Sequence, residues 1–265
     1  MIVRREADGW TLIRQMDHAA HCGEISRAWR SGPFGDGAVS SSLEYAAATH
    51  DLGWAEVDAL PEIDGEGRPR NFTTFEEARH AAFYSAAVRT IAKTDKHAAY
   101  LVSLHATGLY SRRFAWTGFR AMDWKSIGDH GRALLSRERA FRADVQRALD
   151  PADAEFDSAW RAYMLLETFD FLSLLTCFGL ESSACGPVPT VPGQFEQLTV
   201  TRLGPWEVAL DPFPFAGDRL ELDVVYAHFA GDRFESDTDL RHSFQAAPPE
   251  TRSTVYRTQN QAVGT

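Results

Sequence analysis

The stretch EFDSAWRAYMLLETFDFLSLLTCFG, Glu155 to Gly179, constrains this chain more than any other. It reads as one long helix, apolar on most faces after Met164. A helix that is apolar all round must be covered all round, so this one is expected at the centre with the remaining elements wrapped about it. Inside it stands Asp170, flanked in sequence by Phe169, Phe171, Leu172, Leu174 and Leu175. A carboxylate in such a setting needs a cation or several donors. His105 poses a milder form of the same problem among Leu101, Val102 and Leu104.

The rest of the chain supplies the wrapping. IVRRE and WTLIRQ read as a hairpin joined through the Asp-Gly turn signal of ADG. DHAAHCGEISRAWR predicts a first helix with Asp17 as its N-cap. Ser40 to Ser42 are placed to cap a second helix through LEYAAATHD, ending near Gly53. PEIDGEGRPR is a polar loop. FTTFEEARHAAFYSAAVRTIAK predicts a third helix with Thr73 or Thr74 near its cap, and HAAYLVSLHATGLYSRR a fourth. SRERAFRADVQRALD is amphipathic. Gly, Pro and Ser dominate from Gly179 to Gln194, after which QLTVTRLGPWEVALDPFPF and RLELDVVYAHFAGDRF alternate like antiparallel strands. The order strands, helices, strands predicts an α+β fold: a single domain over 1–265 with a mainly helical core at about 17–178. Flanking β segments at about 1–15 and 195–235 pair beside it as an appended sheet.

The chemistry-bearing residues fall one or two to an element. Of nine histidines, His18 opens the first helix, His50 sits beside Asp51 in AAATHDLGW, His80 lies in EEARHAAF and His105 in LVSLHATGL. With Asp170 they make an inventory suited to two metal ions. Neutral imidazoles are good ligands for Fe, Mn, Zn or Ni, and a carboxylate such as Asp51 can bridge two ions. In this reading Asp170 completes the first ion's sphere, and His80 and His105 serve the second. His80 competes with His97, which follows Lys93, Asp95 and Lys96 in a loop. Asp170 competes with Glu167 one turn earlier. His21, His97, His130, His228 and His242 are read as hydrogen-bonded structural residues, and Trp54 and Tyr84 as core.

The ordered set His18, His50-Asp51, His80, His105 and Asp170 resembles the HD-domain superfamily of helical metalloproteins, over roughly Asp17 to Phe178. Its six-ligand form is similar to the dinuclear branch, which includes cyclic-dinucleotide phosphodiesterases and mixed-valence di-iron oxygenases. The chain also looks like an uncharacterised bacterial family with a Q-x-D-H start (Gln15 to His18), an H-D-x-G-W element (His50 to Trp54) and an S-L-H element (Ser103 to His105). The resemblance implies an HD-like helical core, metal ligation by the six residues and a catalytic Asp51. Many HD phosphohydrolases carry a phosphate-holding lysine where this chain has Trp54, which weakens a phosphoester reading. Arg112 and Arg113 follow His105 closely, and arginine is a good clamp for phosphate or carboxylate.

Three functions follow as expectations. The first is a dinuclear iron oxygenase acting on a small polar or anionic molecule, with Arg112 or Arg113 holding the anionic group. The second is a metal-dependent phosphohydrolase or phosphodiesterase in which a metal-bound hydroxide attacks phosphorus. The third is a non-catalytic binding protein on an HD-like core. Two divalent ions are the implied cofactors, Fe favoured and Mn, Zn or Ni possible, and the partner is a small-molecule substrate. A formal net charge of −10 argues against nucleic-acid and anionic-membrane partners. No run reaches the length of a membrane span, and the N-terminus lacks the apolar core of a signal peptide. Cys22, Cys177 and Cys185 form no CxxC pair, which fits reduced thiols in the cytoplasm.

Overall fold

The computed structural model describes residues 1–29, 32–34, 39–111, 127–148, 155–190 and 193–259. In chain order, β1 (Ile2–Arg5) and β2 (Gly9–Ile13) form the hairpin, followed by α1 (Gln15–Ala28), α2 (Ser41–Thr49) and the short α3 (Ala55–Ala59). Then come α4 (Glu77–Ile91), α5 (Lys96–Tyr110), α6 (Asp129–Ala148) and α7 (Glu155–Cys177). The chain closes with β3 (Ala184–Pro189), β4 (Phe195–Gly204), β5 (Glu207–Asp211), β6 (Arg219–Ala230), α8 (Asp237–Ala246) and β7 (Glu250–Thr258). The α+β expectation holds. No helix among the described residues is long and apolar enough to cross a membrane.

One sheet joins both ends of the chain, in the order β1-β2-β6-β7-β5-β4-β3. The expected meeting of the two β regions occurs between β2 and β6, where Trp10 lies opposite Phe229 and Leu12 opposite Ala227. The hairpin register puts Ile2 opposite Ile13 and Val3 opposite Leu12. Successive strand residues face opposite sides. Ile2 and Ile13 therefore enter the main core under the helices, while Val3 and Leu12 enter a second cluster closed by Leu240 and Phe244 of α8. The antiparallel expectation fails at one place: β5 runs parallel to β7. β7, outside the expected β segments, inserts between β5 and β6.

α7 is central, as its composition requires. Every residue from Tyr163 to Cys177 is buried, and Leu166, Phe169 and Leu172 join the core that also holds Leu198, Val208 and Tyr256 of the sheet. A separate cluster under α4, α5 and α6 is built on Trp54, Tyr84, Tyr110 and Leu134.

Several element edges differ from those read in the sequence. α1 begins with Arg14 at its N-cap, so Asp17 sits in the first turn, where a carboxylate still complements the exposed N–H groups. Ser40 does cap α2, accepting from the Leu43 N–H at 3.2 Å. Phe72–Thr74 is a separate 3₁₀ turn capped by Asn71, and α4 starts after Glu76. His97 is helical, because the Asp95 carboxylate accepts from the backbone N–H groups of His97 and Ala98 and starts α5 at Lys96. The Gly-Pro-Ser stretch contains β3, whose Cys185 and Val188 are fully buried.

Candidate metal centre

Four helices bring the polar residues together. On α1, His18 and Cys22 are four apart and share a face. On α7, Glu167, Asp170, Ser173 and Cys177 follow at spacings of three, three and four, which draws one polar stripe along an otherwise apolar helix. His105 is presented by α5. His50 terminates α2, and Asp51 follows with φ −98° and ψ 16°, in the bridge region where turns and functional residues often sit. The chain then makes the 3₁₀ turn Leu52–Trp54, closed by the Trp54 N–H on the Asp51 carbonyl at 2.9 Å. Gly53 was read as marking a helix end. Its reason is steric instead: a Cβ there would lie 2.0 Å from the Phe83 carbonyl oxygen of α4.

The cluster is enclosed. His18, His50 and His105 are 1% exposed, Glu167 0%, and Asp51 and Asp170 3%. His50 Nδ1 lies 2.8 Å from the Ala47 carbonyl oxygen. A carbonyl only accepts, so Nδ1 carries the proton and Nε2 is a bare lone pair. Nε2 is buried without a hydrogen-bond partner and lies 3.5 Å from Asp51 Oδ2 and 3.9 Å from Asp170 Oδ1. His18 Nε2 is 3.0 Å from Asp170 Oδ1 and 4.0 Å from Asp51 Oδ2. His105 Nδ1 meets Glu167 Oε1 at 2.6 Å. The Tyr84 hydroxyl donates to Asp51 Oδ1 at 2.9 Å and accepts from Trp54 Nε1 at 3.3 Å.

The electrostatics ask for positive charge at this point. Burial lowers the pKa of His50, which keeps it neutral and its Nε2 bare. Burial also opposes protonation of His18, but the Cys22 sulfur and the Asp170 carboxylate outweigh it and raise its pKa well above the ordinary value. Burial, with the Asp51 charge behind it, pushes Tyr84 well above the usual phenol range, so its hydroxyl is a neutral donor. A lone pair directed at two carboxylates is repulsive unless a cation lies between them. The donor set therefore fits a metal ion.

Three groups of side chains have ligand atoms within 4.8 Å of one another among the described residues: His18, Cys22, His50 and Asp170; His50, Asp51 and His105; and His105, Glu167 and Asp170. His50, His105 and Asp170 each belong to two of them, so the groups form a closed ring. Of the expected ligands, His18, His50, Asp51, His105 and Asp170 meet there. His80 belongs to none of the groups. Its Nδ1 is hydrogen-bonded to the Tyr110 hydroxyl at 2.6 Å, and its ring packs 4.9 Å from that of Tyr84. Glu167, weighed against Asp170, joins it rather than replacing it. Cys22 was missed, as was the hydroxyl of Tyr84, which reaches Asp51. Arg112 and Arg113 lie outside the described residues.

A family model matches residues 1–230. The chain belongs to the family described as Protein of unknown function (DUF3891). Every residue of the centre falls inside the matched region, while α8 and β7 fall beyond it. No curated protein and no solved structure matches the chain.

Proposed function

We propose that the chain is a metal-dependent enzyme of HD type, a dinuclear iron oxygenase acting on a small polar or anionic molecule. The observation that carries the metal reading is His50 Nε2: buried, deprotonated, unpartnered and set between two carboxylates. His18, His50, Asp51 and Asp170 would hold one ion, with Cys22 at its edge. Asp51, His105 and Glu167 would hold the second, in place of the His80 expected from the sequence. The ring of shared ligands supports two ions, since it offers more donors than one octahedral ion accepts. Iron bound there supplies the electrons that dioxygen chemistry requires.

The chain's own residues do the rest. Ala47 fixes the His50 ring through its carbonyl, as outer partners of ligand histidines generally do. Tyr84 holds one oxygen of Asp51 with a proton it does not release, which orients the other oxygen toward His50 and His18. The burial of these groups strengthens each of these contacts. Trp54 supports the oxygenase over the phosphohydrolase. It is fully buried against Phe75, Phe83, His80 and Tyr84, so the position that would carry a phosphate-holding lysine is core.

Metal analysis of protein expressed with iron and purified without oxygen tests this. About two Fe per chain are expected, consistent with a mixed imidazole–carboxylate set, together with oxygen consumption on a small polar substrate that is lost in His50→Ala. Metal-free protein, or turnover of a generic phosphoester stimulated by Mn2+ and dependent on Asp51, would overturn the oxygenase.

A further inference from the structure

A chain of hydrogen bonds leaves the metal centre on its far side. His18 Nδ1 lies 2.7 Å from Ser173 Oγ, and Ser173 Oγ lies 2.8 Å from His21 Nδ1. His21 Nε2 lies 2.8 Å from Thr254 Oγ1, and Thr254 donates to the Leu222 carbonyl oxygen at 3.0 Å. All four side chains are buried, His18 and His21 at 1% exposure and Ser173 and Thr254 at 0%. The Tyr256 ring stacks on His21 at 6.3 Å and 26°, with its own hydroxyl tied to the Leu172 carbonyl.

The protons on this chain can be assigned from its end. A carbonyl has none, so the Thr254 hydroxyl hydrogen points at Leu222. Thr254 Oγ1 must then accept, which puts a proton on His21 Nε2 and leaves His21 Nδ1 bare. Ser173 has a single proton and gives it to His21 Nδ1. Ser173 Oγ must therefore accept from His18, which places a proton on His18 Nδ1. With Nδ1 holding its proton, His18 Nε2, which meets Asp170 Oδ1 at 3.0 Å, is the nitrogen that gives up a proton to a bound ion. The opposite polarity would break the Thr254–Leu222 bond and set an N–H of His18 where the ion belongs.

We propose that His21, Ser173 and Thr254 are positioning residues that fix the ligand tautomer of His18 from the sheet side of α1. The inference rests on the metal-centre reading above and extends it to β7, a strand outside the family-matched residues. His50 is set by one backbone carbonyl at the end of its own helix. His18, in the first turn of α1, is set through three side chains by a carbonyl in β6.

Co2+ titration tests it, because the visible bands of bound Co2+ report ligand identity and geometry as well as affinity. The variants are Thr254→Val, which keeps the shape and removes the hydroxyl, Thr254→Ser, which restores it, and His21→Leu, which cuts the chain elsewhere. Thr254→Val and His21→Leu are expected to weaken Co2+ binding by about 10–100-fold, the usual cost of losing an outer partner of a ligand histidine, and to shift the bands. Thr254→Ser should return both to wild-type values. Wild-type Co2+ affinity and spectrum in both Thr254→Val and His21→Leu would overturn the positioning role while leaving the centre intact. A wild-type protein that binds no Co2+, or binds it undiminished in His50→Ala, would overturn the centre and this role with it.

Discussion

Replacing His50 by leucine should have opposite consequences in the metal-free and metal-loaded protein. In the metal-free protein the substitution removes the hydrogen bond to Ala47, a loss of about 1 kcal/mol. It also removes a buried nitrogen with no partner, a defect that costs about 1–3 kcal/mol while present. The net is a gain of about 0–2 kcal/mol, so the melting temperature in chelator should hold or rise by up to roughly 8 °C, at about 2–4 °C per kcal/mol for a chain of this size. Metal at a thousandfold excess over Kd should stabilise the wild type by about 4 kcal/mol through mass action. That corresponds to a gain of roughly 8–16 °C. His50→Leu, lacking a ligand that two of the three groups share, should lose most of that gain. Thermal melts of both proteins in chelator and in Co2+ give the four values needed. A His50→Leu variant that melts far below wild type in chelator, or gains as much from Co2+, would refute the reasoning.

Other outcomes follow from the same geometry. Tyr84→Phe should fold, lose about 1 kcal/mol through the stranded Trp54 N–H, and bind Co2+ more weakly by about tenfold, since Asp51 loses its orienting donor. Gly53→Ala should cost more than any surface change and abolish Co2+ binding, because its Cβ collides with the α4 backbone and displaces the turn carrying His50 and Asp51; melting and titration read both. In metal-free protein His18 is charged well above its ordinary value of 6.5. Its contribution to stability is full below that value and is lost as pH rises through the raised one. Metal must displace that proton, so apparent Co2+ affinity should fall as pH falls, by about tenfold per unit for one proton. Calorimetric titration in two buffers of different ionisation enthalpy would show the release.

The sequence displayed the centre where a polar residue broke an apolar pattern. Asp170 and His105 were conspicuous among leucines and phenylalanines, and His50-Asp51 among alanines, because burial of such groups demands a partner. It was ambiguous where several turns of one helix offered polar groups. His80 and Tyr84 lie one turn apart on α4, and spacing alone does not say which turn faces Asp51. Glu167 and Asp170 appeared to compete, yet three residues apart on a helix they share a face. Cys22 has no partner among the other cysteines in the sequence, and its significance lies in a histidine four residues away on the same helix face. β3 was hidden because Gly186, Pro187 and Pro189 look like loop. β7 and α8 carry little periodic signal, and only Leu240 and Phe244 of α8 are buried.

The position of β7 has a bearing on how the molecule is made. It is the last of the described strands in chain order, yet it lies mid-sheet, antiparallel to β6 and parallel to β5. Until residues 250–258 emerge during synthesis, β1, β2 and β6 can form one half-sheet and β3, β4 and β5 another, each with an open edge. Pairings between residues far apart in sequence are slow to form, and open edges invite pairing with other chains. The two inner edges therefore stay open until β7 is made, and that strand also brings Thr254 to the hydrogen-bond chain that ends on His18. Completion of the sheet and readiness of the metal site would then coincide.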